Sequence, residues 1–271
     1  MSSTTQTRAH ASSPWIVNYR PDPRARLRLF CFPYAGGGAV NFRQWAERLP
    51  EGVESCCVQP PGRGARMGEP LFTRLAPLVR EIAVHITPHL DRPFAFFGHS
   101  MGALMAFELA RLLRSERGLL PARLFVSGCD APQFPYTEAP TYDLPDDLLR
   151  EELRRLNGTP REVLEHPELM LLMFPLLRAD LEVVQTYRCE DGPPLECPIS
   201  AYGGLEDPEV SRERLEGWRR QTSASFSLEM LEGDHFFLNS SREQLLRLVS
   251  GALRRMTEAP ELRGGEQGAR G

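Results

Sequence analysis

Lysine is absent from this 271-residue chain: all 32 basic positions are arginine. That excludes a lysine nucleophile or Schiff base. A formal net charge of −4 argues against a nucleic-acid binder. No apolar run approaches the length of about 18 residues that marks a membrane-spanning helix. The polar stretch Met1–Ser13 has no apolar segment of the kind a secretory signal carries. The six cysteines show no C-x-x-C spacing, which argues against a structural zinc site. Four of them lie in or beside apolar runs and read as small buried hydrophobes in a reduced, cytoplasmic setting. No internal repeat is present, and the length suits one domain with a large core.

What the chain does contain is centred on Phe94–Ala110. An apolar run, Phe94 to Phe97, leads into Gly98-His99-Ser100-Met101-Gly102 and then an Ala/Leu/Met-rich helical pattern. A short uninterrupted apolar run suits a strand buried on both faces. Glycines on either side of Ser100 permit a sharp strand-to-helix turn, which lifts the hydroxyl clear of the sheet. The helix N-terminus there favours developing negative charge. The pentapeptide alone is weak; its flanks make Ser100 a candidate nucleophile.

In chain order the pattern predicts strands at 15–19, 26–32, 53–59, 94–97 and 122–128. Helices are expected around Phe42–Leu49, over Leu75–Leu90, and after Ser100. Such alternation implies a parallel sheet with helices on both faces. It breaks between Ala131 and Pro194, where helices are expected at 146–156 and 161–181. The second is apolar almost all round its early turns, as a core helix or a lid over a hydrophobic substrate channel would be. Strands resume at 198–203 and 225–231, a helix capped by Ser211 lies between them, and a last helix runs to about Met256. Residues 1–13 and 257–271 are expected to be disordered, leaving a domain at 14–256 with a lid at about 132–194.

A serine hydroxyl needs a base, and the base an orienting carboxylate. In α/β-hydrolases these follow in the order Ser, acid, His. Only His166 and His235 come after Ser100; His166 falls in the lid, so His235 is the candidate base. Glu206, Asp207 and Asp234 are candidate acids. Asp234 adjoins His235, which usually points the two side chains apart; Asp207 is preferred, with Glu206 second. The Gly36-Gly37-Gly38 run directly after a strand suits half of an oxyanion hole. Its donor is expected at the Ala35 N–H, with the Met101 N–H as the other. His85 and His89 sit four apart on one helix, but no Glu or Cys accompanies them, and a solvated face is the better reading.

These residues resemble those of the type II thioesterases, stand-alone α/β-hydrolases that accompany polyketide synthases and nonribosomal peptide synthetases. The blocks are Phe32-Pro33-Tyr34-Ala35-Gly36-Gly37, Pro61-Gly62-Arg63, Gly98–Gly102 and Gly233-Asp234-His235-Phe236-Phe237-Leu238, with Leu177-Arg178-Ala179-Asp180 beside them. The resemblance implies an α/β-hydrolase fold with a mostly parallel sheet and helical lid. It implies catalysis by Ser100, Asp207 and His235, with Ala35 and Met101 as oxyanion donors. The implied substrate is an acyl thioester on the phosphopantetheine arm of an acyl or peptidyl carrier protein. No cofactor of the enzyme's own, no metal, no nucleic acid and no membrane is implied, and the chain is expected to be a monomer. The implied task is removal of stalled or aberrant acyl groups. The rival readings are a carboxylesterase or lipase for free small esters, a non-catalytic docking partner, and a chain-terminating cyclase. Cyclases are usually fused to a synthase, whereas a chain opening at Met1 is expected to stand alone. Arg63, Arg66, Arg150, Arg154 and Arg155 are candidate contacts for phosphate or an acidic carrier, or else solvated charge. Met173 and Phe174 are expected to line the acyl channel.

Overall fold

A computed structural model describes residues 13–258. Seven strands form one sheet: β1 (Ile16–Val17), β2 (Leu27–Phe32), β3 (Val53–Val58), β4 (Phe94–His99), β5 (Leu124–Ser127), β6 (Ile199–Gly204) and β7 (Phe226–Leu231). Their spatial order is β1-β3-β2-β4-β5-β6-β7. Only β1 is antiparallel, against β3; the other pairs are parallel. The α/β class and mostly parallel sheet expected from the sequence are therefore present.

Strands β2 to β6 are buried at every residue, which is why their apolar runs do not alternate with polar residues. Their side chains divide by the two-residue period of a strand. Phe30, Phe32, Phe94 and Phe96 enter one core with helices α1 (Leu75–Ile86) and α2 (Met101–Arg117). Leu27, Leu29, Cys31, Ala95 and Phe97 enter the opposite core with Phe42, Trp45 and helix α8 (Arg242–Glu258). Each fully buried Phe or Leu contributes about 1.5–3 kcal/mol relative to exposure. At the edge, β7 alternates between half-buried and exposed positions up to Leu231, which is buried.

The chain winds from β2 outward to β3, then returns past β2 to β4. Adjacent parallel strands whose connections run in opposite directions leave a crevice at their C-terminal ends. The loop after β2 and the turn after β4 meet there, which puts Ala35 and Ser100 in the lining of one cavity.

Between β5 and β6 lie α3 (Asp146–Leu156), α4 (Arg161–Leu164) and α5 (Pro167–Gln185). The single helix expected over 161–181 is broken, because Pro167 has no amide hydrogen to continue it. His166 instead accepts from the Leu169 N–H at 3.5 Å. These helices share a small core of their own, including Leu149, Leu153, Leu164, Met170 and Phe174.

Other boundaries also shift. The helix expected near Phe42–Leu49 is a 3₁₀ segment at Ala39–Trp45. The one capped by Ser211 is a short α6 (Arg212–Glu216) running into a 3₁₀ turn, Gly217–Gln221. Helix α7 (Phe237–Ser240) precedes α8, and α8 includes Thr257 and Glu258, which the sequence reading assigns to the tail. Ser13 is placed too, its hydroxyl 3.1 Å from His85. The rest of the two expected disordered ends lies outside the described residues. His85 is only partly solvated: its side chain is 29% exposed, its ring stacks on Trp15 at 5.2 Å, and its Nε2 lies 3.2 Å from Glu81. Five cysteines are buried and Cys189 is half-buried, all with free thiols. Among the described residues no helix is long and apolar enough to cross a membrane. No group of three or more His, Cys, Asp or Glu gathers as for a metal among them.

Candidate active site

Ser100 occupies a sharp turn between β4 and α2, with φ 52° and ψ −119°. A positive φ is strained for a side-chain-bearing residue, and surrounding structure must hold it. Two features do so. The Ser100 N–H donates to Ser127 O at 2.8 Å, tying the turn to the end of β5. The flanking glycines let backbone pass at contact distance: a Cβ on Gly98 would lie 2.1 Å from Gly102 O, and one on Gly102 2.1 Å from Phe32 O. The glycine spacing is therefore a packing requirement.

His235 follows β7 and Asp207 follows β6. Asp207 Oδ2 lies 2.8 Å from His235 Nδ1. Its Oδ1 accepts the N–H groups of Glu209 at 2.8 Å and Val210 at 3.2 Å. The Asp207 side chain is wholly buried and that of His235 is 11% exposed. The competing carboxylates are placed elsewhere. Asp234 accepts from Asn157 Nδ2 at 2.7 Å and from the Phe236 N–H at 2.8 Å. Glu206 is exposed.

Behind the turn, the buried His99 ring has Nδ1 2.9 Å from Ser127 Oγ and its centroid 5.3 Å from that of His235. Burial first, then the His235 charge, hold its pKa well below the usual histidine value of 6.5. His99 is thus a neutral wall for His235.

A cavity of about 490 Å³ contains Ser100, Asp207 and His235 in its lining. Leu104, Leu153, Leu156, Leu181 and Val184 supply apolar wall. A second cavity, about 730 Å³, lies along the glycine loop. Tyr34, Ala35, Gly158, Thr159 and Leu177 line both, so the two meet at the loop. Phe174 lines neither, being buried in the core of the helical segment, and Met173 lines the second cavity rather than the one beside Ser100. Of the two expected acyl-channel residues, Phe174 is therefore a core residue, against expectation, and Met173 lines a cavity that adjoins the one beside Ser100. A three-residue error along the helix axis is enough to exchange cavity wall for core.

Most of the candidate arginine contacts are also committed. Arg63 is buried against Asp180. Arg66 is buried, bonds Glu69 and Gln59 O, and lies over the Trp15 ring at 3.9 Å. Arg155 is held by Glu152 and Glu209, and Arg150 lies over Phe174 at 5.8 Å. Arg154 and Arg155 are the exposed ones of the five, and of these two Arg155 is the one held in ion pairs. The residue the sequence reading undervalued is Asp180. Its signal was an acid on the face of α5 that also carries Leu177 and Leu181.

A serine on a strained elbow, a paired Asp–His and a glycine loop at one cavity define an α/β-hydrolase site. Residues 27–253 match the thioesterase domain family, and the chain belongs to that family. It is 44% identical over 250 residues to the protein named linear gramicidin dehydrogenase LgrE of Brevibacillus parabrevis, covering 91% of this chain and 95% of that one. The gramicidin S biosynthesis protein GrsT of Aneurinibacillus migulanus is 45% identical over 248 residues, covering 92% and 96%. The solved structure of RedJ, a thioesterase from the prodiginine biosynthetic pathway in Streptomyces coelicolor, matches at TM-score 0.79 and 42% identity, covering 84% and 85%. The chain is a hydrolase of thioesters, similar to type II thioesterases of polyketide and nonribosomal peptide pathways.

Proposed function

We propose that this enzyme removes stalled or aberrant acyl groups from the phosphopantetheine arm of carrier proteins, through an acyl-enzyme on Ser100. The observation that carries the mechanism is the 2.8 Å Asp207–His235 pair in the same cavity lining as Ser100. With Nδ1–H donated to Asp207, His235 keeps Nε2 as the basic atom. Ser100 Oγ attacks the thioester carbonyl while Nε2 takes its proton. The tetrahedral oxyanion is assigned to the Ala35 and Met101 N–H groups. The next four amides of the loop, Gly36 to Ala39, already donate to Asp180, Tyr34, Asn41 and Gln59. Met101 opens α2 beside Ser100. Collapse breaks the C–S bond, and His235 returns the proton to the pantetheine sulfur. Water, deprotonated by His235, then attacks the ester; the acid leaves and Ser100 recovers its proton.

The partner is an acyl or peptidyl carrier protein, whose arm brings the thioester; the enzyme needs no cofactor of its own. The cavity beside Ser100 takes the acyl group. The enzyme acts as a monomer. Free thiols support a reducing, cytoplasmic setting.

The test is a panel of acyl-carrier-protein thioesters set against free small esters, with wild type and Ser100→Ala. Wild type is expected to favour carrier-bound thioesters, and Ser100→Ala to lose at least about 10³-fold in kcat while staying folded. Preference for free esters would make the enzyme an esterase, and normal turnover by Ser100→Ala would remove the mechanism.

A further inference from the structure

The glycine loop does not hold its shape alone. Tyr34 O accepts the Gly37 N–H at 2.9 Å, closing a four-residue turn, with Gly36 at φ +75° in its third position. That is the pattern of a type II turn, whose central peptide can flip unless something holds it. Here the central peptide is Ala35–Gly36. Its N–H points to Asp180 Oδ2 at 2.7 Å. The same oxygen accepts from Arg63 Nη2.

Asp180 and Arg63 are both buried. Burial raises the Asp180 pKa, and the Arg63 charge and the Gly36 N–H oppose that rise. A buried carboxylate that gained nothing but an ion pair would often be replaceable by an apolar residue without loss. This one also holds a peptide adjoining a proposed oxyanion donor. Leu177, one turn earlier on α5, closes on the same place: a Cβ on Gly36 would lie 2.7 Å from Leu177 Cδ2. Arg63 is fixed in turn through its carbonyl, which accepts from Gln59 Nε2 at 2.9 Å, while Gln59 Oε1 accepts the Ala39 N–H at 2.6 Å. The loops after β2 and β3 and the helix α5 therefore converge on one carboxylate.

We propose that Asp180 is a positioning residue for the oxyanion loop, so that the loop has its catalytic geometry only while α5 is seated on Gly36. The proposal rests on the assignment of Ala35 as oxyanion donor. Loss of the acceptor orphans the Gly36 N–H, leaves the Arg63 guanidinium buried and unpaired, and frees the Ala35–Gly36 peptide to rotate. The Ala35 N–H sits on the preceding Tyr34–Ala35 peptide of the same turn, so slackening the turn loosens its aim, and the cost falls on the transition state rather than on substrate binding.

The experiment measures kcat and KM on an acyl-carrier-protein thioester for wild type, Asp180→Asn and Asp180→Ala. It adds the affinity of an alkyl boronic acid, which forms a tetrahedral adduct with an active serine, and thermal unfolding to count folded enzyme. Asp180→Asn keeps an oxygen acceptor for Gly36 and carries the test should Asp180→Ala fail to fold. We expect kcat to fall about 10- to 100-fold in Asp180→Ala and less in Asp180→Asn, boronate affinity to fall in parallel, and KM to stay near wild type. Loss of thermal stability with kcat per folded enzyme and boronate affinity within about twofold of wild type overturns the proposal, as does a loss confined to KM. Ser100→Ala measured alongside separates the two levels. If it retains turnover, the serine mechanism fails; if it is inactive while the Asp180 variants keep kcat, only the positioning role fails.

Discussion

Asp207 and Asp234 are both acids in tight turns, and what separates them is what their oxygens touch. Asp207 spends Oδ1 on two backbone amides and so presents Oδ2 to His235 in one orientation. Asp234 is used up by Asn157 and the following turn. Asp207→Asn would place a donor where His235 Nδ1–H must donate, and would favour the wrong imidazole tautomer. We expect kcat to fall by about 10⁴-fold with the fold unchanged. Asp234→Asn, by contrast, should leave kcat near wild type. Steady-state kinetics on both variants check this, and equal losses would move the orienting role away from Asp207. Among candidate residues, Ser100 and His235 were legible because motif and chain order single them out. Asp207 was legible only as a preference, since side-chain direction in a turn depends on φ/ψ that composition does not specify.

Helix α5 carries two functions along its length. Its first half has Leu169, Leu171 and Leu172 exposed, with Met170 and Phe174 in the small core. Pro175 lies inside the helix without ending it, and beyond it Leu177, Asp180 and Leu181 face the glycine loop and the cavity. The sequence showed a helix too apolar for a surface but not which residues met the cavity, because several faces were apolar at once. Leu181 is 9% exposed and lines the cavity beside Ser100. Leu181→Trp is expected to lower kcat/KM for long acyl chains by about 10-fold or more while sparing short ones. Phe174→Leu should leave the chain-length profile unchanged. A kcat/KM series over acyl length distinguishes them, and an unaltered profile in Leu181→Trp would place the acyl group elsewhere.

Across the whole molecule, the buried imidazole of His99 ties stability to the neighbourhood of the candidate site. It is packed with Tyr34 at 5.9 Å, His235 at 5.3 Å and Phe237 at 5.5 Å. Its folded pKa is depressed below 6.5. As pH falls below about 6.5, the unfolded chain therefore binds a proton that the folded one does not, and stability falls with pH. This group contributes a slope of up to about 1.4 kcal/mol per pH unit, present only below that value. Urea unfolding of wild type and His99→Asn from pH 8 to 5 reads the difference. Parallel curves would show that His99 titrates alike in both states.

Local pattern by itself determined the strands of the parallel sheet, the elbow around Ser100, the glycine loop and the chain order of the candidate serine, acids and base. Buried strands need continuous apolar runs, and a strand-to-helix elbow this tight admits only glycine on its inner sides. These constraints act between neighbours in the chain. What only the tertiary structure decided was which distant groups face each other: Asp207 against His235, Asp180 against Gly36 and Arg63, Leu181 rather than Phe174 against the cavity. Asp180 and Gly36 stand 144 residues apart. The strand order brings the loops after β2 and β3 to one edge, and the seating of α5 sets which of its faces meets them. A one-turn shift of that helix would exchange wall, brace and core without changing a residue of the pattern.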